Sequence, residues 1–274
     1  MKGVFPMKKL WIVLFVCLLC GCAADTAGPQ TPDVSPAEPP APTLHLRIVD
    51  GAGTDELFLA GEKAGEVYVL PLNDIDIYLD EEKADKSVLE DGMPIDLAYT
   101  SVEETLPARL SAAALYAYSL GTVENPGGGY YDLCGLYLKV LEDLWAEDEG
   151  LNADLDFVSF DLSDAPGGLT AGEKSAIAFR FAAQHGLVAM EMSYEELLSE
   201  GMIADAEDFP HLERGLLFSI KTAEDEGVYS LPVIHFTAEK WRTPLGAFFF
   251  GDCSAVWPEL GTWSDYNVGG YMIA

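Results

Sequence analysis

The sequence contains few basic residues, and this scarcity excludes two kinds of partner. Among 274 residues, 15 are Lys or Arg and 46 are Asp or Glu, so the formal net charge is −31. Nucleic-acid binding is driven by Lys and Arg, which release counterions from phosphates, and adhesion to anionic lipid headgroups needs the same charges. We therefore expect no nucleic-acid partner and no electrostatic membrane attachment, whereas cations and basic partners stay open.

Long hydrophobic runs are also lacking. The run from Leu10 to Leu19 is about half of the ~20 residues that a membrane-spanning helix requires. Lys2, Lys8 and Lys9 precede it and small residues follow it, which is the pattern of a secretory signal peptide. The sequence therefore predicts a signal peptide over residues 1–21. Its removal would make the chain three charges more negative, because no acid lies within it.

The end of this run resembles the lipobox of bacterial lipoproteins, a Leu-x-Gly-Cys signature, in Leu19-Cys20-Gly21-Cys22. The resemblance implies that Leu19 and Gly21 are recognised by the signal peptidase and that Cys22 becomes the lipid-bearing N-terminus. The partner implied is the bacterial membrane, reached through lipid on Cys22, and the location is extracytoplasmic. The alternative is cleavage near Ala23 or Ala24 and free secretion.

A proline-rich segment follows the cysteine over residues 22–43. It contains six prolines and no run of large apolar residues, so it cannot bury enough surface to fold by itself. We interpret it as a tether between the membrane and a folded part.

Short alternating segments predict a β-rich module over residues 44–121. Leu44, Leu46 and Ile48 alternate with polar residues, and Gly and charged residues separate the later segments, a pattern typical of a small barrel or sandwich. The stretch LEDGMPIDLAYTSVEETLPARLSAAALYAYS resembles the closing half of a small OB-like barrel of Gram-positive lipoproteins of unknown function. The matching points are Gly92, a strand through Tyr99, and Pro107-Ala108 before a last strand. That family has no established active residues, so none is carried over.

Residues 130–274 predict an α+β module, separated from the first by the linker NPGGG at 125–129. Helical spacing covers YYDLCGLYLKVLEDLWAED, and capping boxes at Thr170/Glu173 and Ser193/Glu196 begin two further helices. A strand at 158–162 and the segment LVAMEM flank the second helix and predict a parallel pairing. The remaining segments form hairpins, with bulges at Gly246 and Gly251 and an edge or bulge at Pro232. The predicted fold class is α+β, an OB-like barrel followed by a module with a mostly antiparallel sheet.

The residue pattern gives no catalytic, cofactor or metal motif. The histidines are scattered rather than spaced as zinc ligands, so we expect no metal and no cofactor. Cys134 and Cys253 form either one disulfide or two buried thiols. Cys253 and His235 are candidates for a Cys-His pair of nucleophile and base. Two carboxylates from any part of the chain could also form the catalytic pair of a glycosidase. These two chemistries define the alternative function, an extracytoplasmic hydrolase.

Aromatic side chains are dense in the last third of the sequence. Three consecutive Phe at 248–250 point to alternating faces of a strand, so one ring is exposed unless both faces are covered. We predict a ligand face for an envelope protein or other ligand, formed by Trp241, Phe249, Trp257, Trp263 and Tyr266. The favoured function is a lipid-anchored, non-catalytic binding or accessory module of the cell surface.

Overall fold

A computed structural model describes residues 43–119, 130–223, 233–257, 261 and 263–274. The predicted signal peptide, Leu19, Gly21, Cys22 and nearly all of the tether lie outside these residues, as do the linker at 125–129 and Pro232. The described residues all belong to one compact unit, Pro40–Ala274. About 45% of the structure is strand and few helices are present, so the fold is mixed α+β.

The first sheet closes into a five-stranded barrel. The sheet has seven strands: β1 (Thr43–Asp50), β2 (Glu56–Ala60), β3 (Val67–Pro71), β4 (Asp76–Leu79), β5 (Glu82–Ala84), β6 (Pro94–Glu103) and β7 (Ala108–Ala117). The order β3-β2-β1-β6-β7 closes because β7 also pairs in parallel with β3, and the β4–β5 hairpin extends from the other half of β7. The barrel is consistent with the predicted OB-like module.

The alternation in β1 fills the barrel. Leu46 and Ile48 are buried inside it with residues from all five strands, as expected when successive side chains point to opposite faces. Gly92, which is at φ 87°, lies against the backbone of Asp132, where a Cβ would collide. The glycine that the sequence placed before β6 therefore has a packing role as well as a turn role.

The second sheet has the order β13-β12-β11-β10-β8-β9, and β14 pairs with β12 beside β13. The strands are β8 (Phe157–Asp161), β9 (Val188–Met190), β10 (Gly215–Thr222), β11 (Val233–Thr243), β12 (Gly246–Val256), β13 (Asp265–Asn267) and β14 (Gly270–Ile273). The β8–β9 pairing is parallel, as predicted, and β8–β10 is parallel as well. The other pairings are antiparallel, so the prediction of a mostly antiparallel sheet is confirmed.

In the part of the chain that the structure describes, three α-helices accompany this sheet: α1 (Leu133–Ala146), α2 (Ala171–Gln184) and α3 (Tyr194–Ser199). Both predicted capping boxes are present, at Thr170/Glu173 and Ser193/Glu196. His185 is the C-cap of α2 and its ring lies against Trp145 and Phe181. The helix starts that the sequence predicted at these two capping boxes are therefore confirmed.

A buried lysine binds the C-terminal end of α1, which the sequence pattern did not predict. Lys240 of β11 is fully buried, and its amine donates to the carbonyl oxygens of Trp145, Glu147 and Asp148 at the end of the helix. The Trp145 carbonyl belongs to the last turn of α1, where carbonyls lack intrahelical partners, and a cation there is favourable to the helix dipole. Burial lowers the pKa of Lys240 to about 8.

Helix α2 packs against the barrel as well as the sheet. Arg47 Nε of β1 lies 2.6 Å from Glu173 Oε1, and the Ser175 hydroxyl accepts from the backbone N–H of Gly65 at 2.9 Å. The larger hydrophobic cluster runs from Val49 and Phe58 on the outside of the barrel through α1 and α2 to the second sheet. A continuous apolar core therefore joins the two sheets.

Candidate functional site

The two faces of the second sheet are covered differently. One face is buried under α1 and α2, with Phe218, Phe236 and Phe250 among its core residues. The opposite face is covered at one end by α3 and the segment after it, through a small cluster of Leu197, Ile203, Leu212 and Leu217. Its other end carries a groove.

The groove has a volume of about 530 Å³, which lies within the range of small-molecule sites. Polar side chains from β10 and β11 form its floor, and apolar side chains from β12 and β14 form one wall. The lining includes Asp164, Ser219, Lys221, His235, Thr237, Glu239, Phe249, Asp252 and Met272.

Strand alternation produces this lining. Ser219 and Lys221 alternate with the buried Phe218 and Ile220 on β10. On β11, the same alternation separates His235, Thr237 and Glu239 from the core residues between them. Phe249 is opposite Glu239 in the β11–β12 ladder and Met272 is opposite Phe249 in the β12–β14 ladder, so their side chains share the groove face.

A bulge in β12 brings Asp252 to the groove. Phe236 pairs with Cys253 but Ala238 pairs with Phe250, so Gly251 and Asp252 together oppose one residue of β11. Asp252 is in the left-handed region at φ 49°, a conformation that Asp and Asn tolerate better than most residues. The predicted bulge at Gly251 is confirmed, and the register of the β11–β12 ladder also shifts beside Gly246.

The lysine and the glutamate of the groove floor have different kinds of partner: Lys221 lies near a carboxylate, and Glu239 accepts from a hydroxyl. Lys221 Nζ lies 3.9 Å from Asp161 Oδ2, and the Ser219 hydroxyl donates to Glu239 Oε2 at 3.4 Å. Burial raises the pKa of Glu239, although Lys221 partly opposes this. A partly desolvated carboxylate on a groove floor suits recognition of a cation or hydrogen-bond donor.

The edge of the sheet beside the groove is apolar and exposed. Tyr271, Met272 and Ile273 of β14 are 61%, 62% and 73% exposed, and Leu245 is exposed at the turn between β11 and β12. An exposed apolar edge strand can pair with other chains and cause aggregation, so natural proteins usually protect such edges. Three adjacent exposed apolar side chains on an edge strand are therefore uncommon.

The residues of the predicted aromatic face do not lie together. Phe249 lines the groove and Trp241 packs on Tyr194 at the covered end of the same face. Trp257 is 1% exposed in the main core, and Tyr266 stacks on Phe236 on the helix-covered face. Trp263 contacts Tyr266. The high density of aromatic residues in this part of the sequence does not predict on which face each one lies. Strand alternation and helix packing place neighbouring aromatic side chains on opposite faces of the sheet.

Cys134 and Cys253 are buried free thiols, which is the second of the two alternatives that the sequence left open. Burial raises the pKa of Cys253 to about 12, and burial likewise raises the pKa of Cys134. Because Cys253 is opposite Phe236 in the ladder, it faces the core, whereas His235 faces the groove. The geometry therefore does not bring Cys253 and His235 together as a nucleophile and base.

Of the groove residues, Phe249 and His235 are among the candidates that the sequence indicated, whereas the other polar residues of the floor are not, because they belong to no aromatic cluster or catalytic motif. A signal was present: polar residues recur at every second position in FSIKT and in HFTAEKW, which predicts one polar face on each of two adjacent strands. Within the described ranges, no group of three or more His, Cys, Asp or Glu is arranged to hold a metal ion.

Comparisons with known protein families, with curated proteins and with solved structures find no match to the chain. No helix in the part of the chain that the structure describes is both long enough and apolar enough to cross a membrane.

Proposed function

We propose that this protein is a lipid-anchored binding module of the bacterial cell surface and that the groove on the second sheet is its binding site. The observation that carries the binding role is the open half of the sheet, where polar floor residues and an apolar wall converge in about 530 Å³. The anchor rests on the sequence pattern at Leu19, Gly21 and Cys22. In this proposal the OB-like module over 44–121 and the α+β module over 130–274 form the ectodomain at the end of the tether.

The net charge supports a basic partner or ligand for the groove. A protein with a net charge of −31 attracts cations and repels anions over several ångströms. Three carboxylates, those of Asp164, Glu239 and Asp252, line the groove beside one lysine and one histidine. The apolar wall then supplies contact area, as in most ligand sites.

The anchor is tested by replacing Cys22 with Ser in the bacterial host. We expect the wild-type chain to partition into the detergent phase and to carry diacylglycerol by mass spectrometry. The Cys22→Ser variant would remain unprocessed and lose the lipid. Normal processing of the variant with unchanged partitioning would contradict the anchor.

The groove is tested by filling it. Thr237 is exposed on the groove floor, so Thr237→Trp places a ring in the groove without disturbing the core. We expect this variant to lose envelope ligands or proteins that the wild type retains in quantitative capture experiments. Glu104→Trp, in the exposed turn between β6 and β7, should retain them. Equal retention by both variants would contradict a role for the groove.

A second candidate function is hydrolysis by carboxylates, which the raised pKa of Glu239 favours. A general acid needs a pKa above the ordinary carboxyl range, and Asp164 and Asp252 lie in the same groove as possible second carboxylates. Cleavage of a panel of fluorogenic glycosides by the wild type, lost in Glu239→Gln, would establish this activity. Turnover by neither protein would leave the binding role alone.

A further inference from the structure

The outer edge of β14 presents backbone groups that face away from the sheet. Ala274 N donates to Ala247 O at 3.0 Å and Ala247 N donates to Ala274 O at 3.4 Å, so these two residues form a bonded pair. In an antiparallel ladder, bonded pairs alternate with pairs that share no bond. Phe249 and Met272 are therefore the next bonded pair, and the N–H and C=O groups of Tyr271 and Ile273 point away from β12.

This edge is open among the described residues. The ladder of β14 is with β12 alone, and the side chains of Tyr271, Met272 and Ile273 are each more than half exposed. An edge with unpaired donors and acceptors accepts another extended segment through main-chain bonds. No charged residue of β14 itself blocks this pairing, since the strand reads GYMI.

We propose that β14 binds an extended segment of a partner protein in which basic and apolar side chains alternate. The inference rests on the proposed function, because the groove supplies half of the recognition. One face of the added strand would contact the groove side of the sheet and the other face would contact the opposite side. Each side favours one of the two alternating types of side chain.

The groove face selects basic side chains. Met272 lies on the groove face with Phe249, so the incoming residue opposite Met272 points to the same side. The carboxylates of Asp252 and Glu239 line that side. A Lys or Arg there gains charge complementarity, and its aliphatic stem covers the exposed Met272.

The opposite face selects apolar side chains. Tyr271 is paired with Phe250 and Ile273 with Phe248, and the Tyr271 ring lies 5.5 Å from the Phe250 ring centroid. Incoming residues beside Tyr271 and Ile273 would cover these exposed side chains. A second copy of this chain is disfavoured as the occupant, because it brings another −31 charges to the edge.

The test uses the full chain in non-ionic detergent and the fluorescent peptide Lys-Val-Lys-Val-Lys-Val-Lys at about 0.15 M salt, a concentration that screens charges beyond about 8 Å. Fluorescence anisotropy gives the affinity. We expect this peptide to bind and two control peptides to bind much more weakly: Lys-Lys-Lys-Lys-Val-Val-Val, of the same composition, and the alternating Glu-Val peptide. Equal binding of the first control peptide would overturn the proposal, because it would show charge attraction without strand pairing.

A pair of variants isolates the backbone bond. Tyr271→Ala removes the ring and keeps the outward N–H, whereas Tyr271→Pro removes both and leaves the bonds to β12 in place, since proline is tolerated where the N–H faces outward. We expect Tyr271→Pro to bind the peptide about tenfold more weakly than Tyr271→Ala. Equal affinities would overturn strand addition.

Asp252→Asn tests the charge on the groove side. Asn keeps the left-handed backbone at this position, so the bulge is retained, and we expect about a threefold loss of affinity for the Lys peptide. Sedimentation that shows a dimer abolished by Tyr271→Pro would assign the edge to a second copy and overturn the proposal. If ligands captured by the wild type are lost in Thr237→Trp but retained in Tyr271→Pro, the groove function stands and strand addition fails.

Discussion

Asp132 occupies a position where helix capping and burial make opposite demands. Its carboxylate begins α1 by accepting the N–H of Gly135 at 2.8 Å. Burial raises its pKa to about 6 from 3.8, and Asp91 and Asp50 add repulsion. A charged carboxylate is therefore kept in a site that favours its protonated form.

This conflict predicts a pH effect. Between about pH 4 and 6 the folded chain binds a proton on Asp132 that the unfolded chain has lost, so the free energy of unfolding falls as pH rises through this window, by about 3 kcal/mol from this group. Asp132→Asn keeps an acceptor for Gly135 and removes the titration. We expect the variant to be more stable than the wild type at pH 7 and the difference to shrink towards pH 4, measured by urea unfolding.

The matched control is Asp74→Asn, which removes an exposed carboxylate. We expect its stability difference from the wild type to stay nearly constant over the same pH range. A constant difference for Asp132→Asn as well would show that the group is not destabilised by burial.

At the scale of elements, α2 depends on a glycine in its first turn. Gly172 N donates to the carbonyl of Glu62 at 3.2 Å, and a Cβ at position 172 would collide with the carbonyl of Gly61. The turn between β2 and β3 therefore lies directly on the start of the helix. A close backbone approach of this kind requires glycine.

We expect Gly172→Ala to destabilise the protein by about 1–3 kcal/mol, although Ala is the better helix former by about 1 kcal/mol. The control is Gly150→Ala, whose Cβ would meet only the Asp148 side chain at 3.4 Å; a change within about 0.5 kcal/mol is expected there. Thermal or urea unfolding measures both, and equal effects would contradict the collision.

The elements whose signals are local were predictable. The capping boxes of α2 and α3, the alternation in β1 and the bulge at Gly251 each depend on residues within a few positions of one another, and the structure has all of them. The β3–β7 closure and the parallel β8–β10 pairing join distant segments, and no local pattern encodes such pairings. The groove was not predicted for a related reason. Its floor is formed by two strands together, and its extent depends on where α3 stops covering the sheet.

At the scale of the whole molecule, the shared core predicts one unfolding transition. Arg47 of the barrel pairs with Glu173 of α2, whose carboxylate is nearly buried. All described tryptophans, Trp145, Trp241, Trp257 and Trp263, lie outside the barrel. We expect tryptophan fluorescence and far-ultraviolet circular dichroism to give coincident urea transitions.

The sharper form of this prediction uses a barrel residue. Arg47→Gln removes the cation beside the nearly buried Glu173 carboxylate and leaves it only the capping bond from the Thr170 N–H. We expect this change to shift both transitions together, by about 2–4 kcal/mol. Arg109→Gln breaks an exposed pair with Glu56 on the barrel and is expected to cost less than about 1 kcal/mol. Separate transitions for the two probes would contradict a common core.

The position of β1 also governs how the molecule responds to tension. Residues 43–47 pair with β6, and residues from Arg47 onward pair with β2. A pull along the strand from its N-terminal end therefore shears several ladder bonds at once rather than peeling them one by one. A chain held to a surface through that end would meet flow or contact forces at a strand that is bonded to neighbours on both sides.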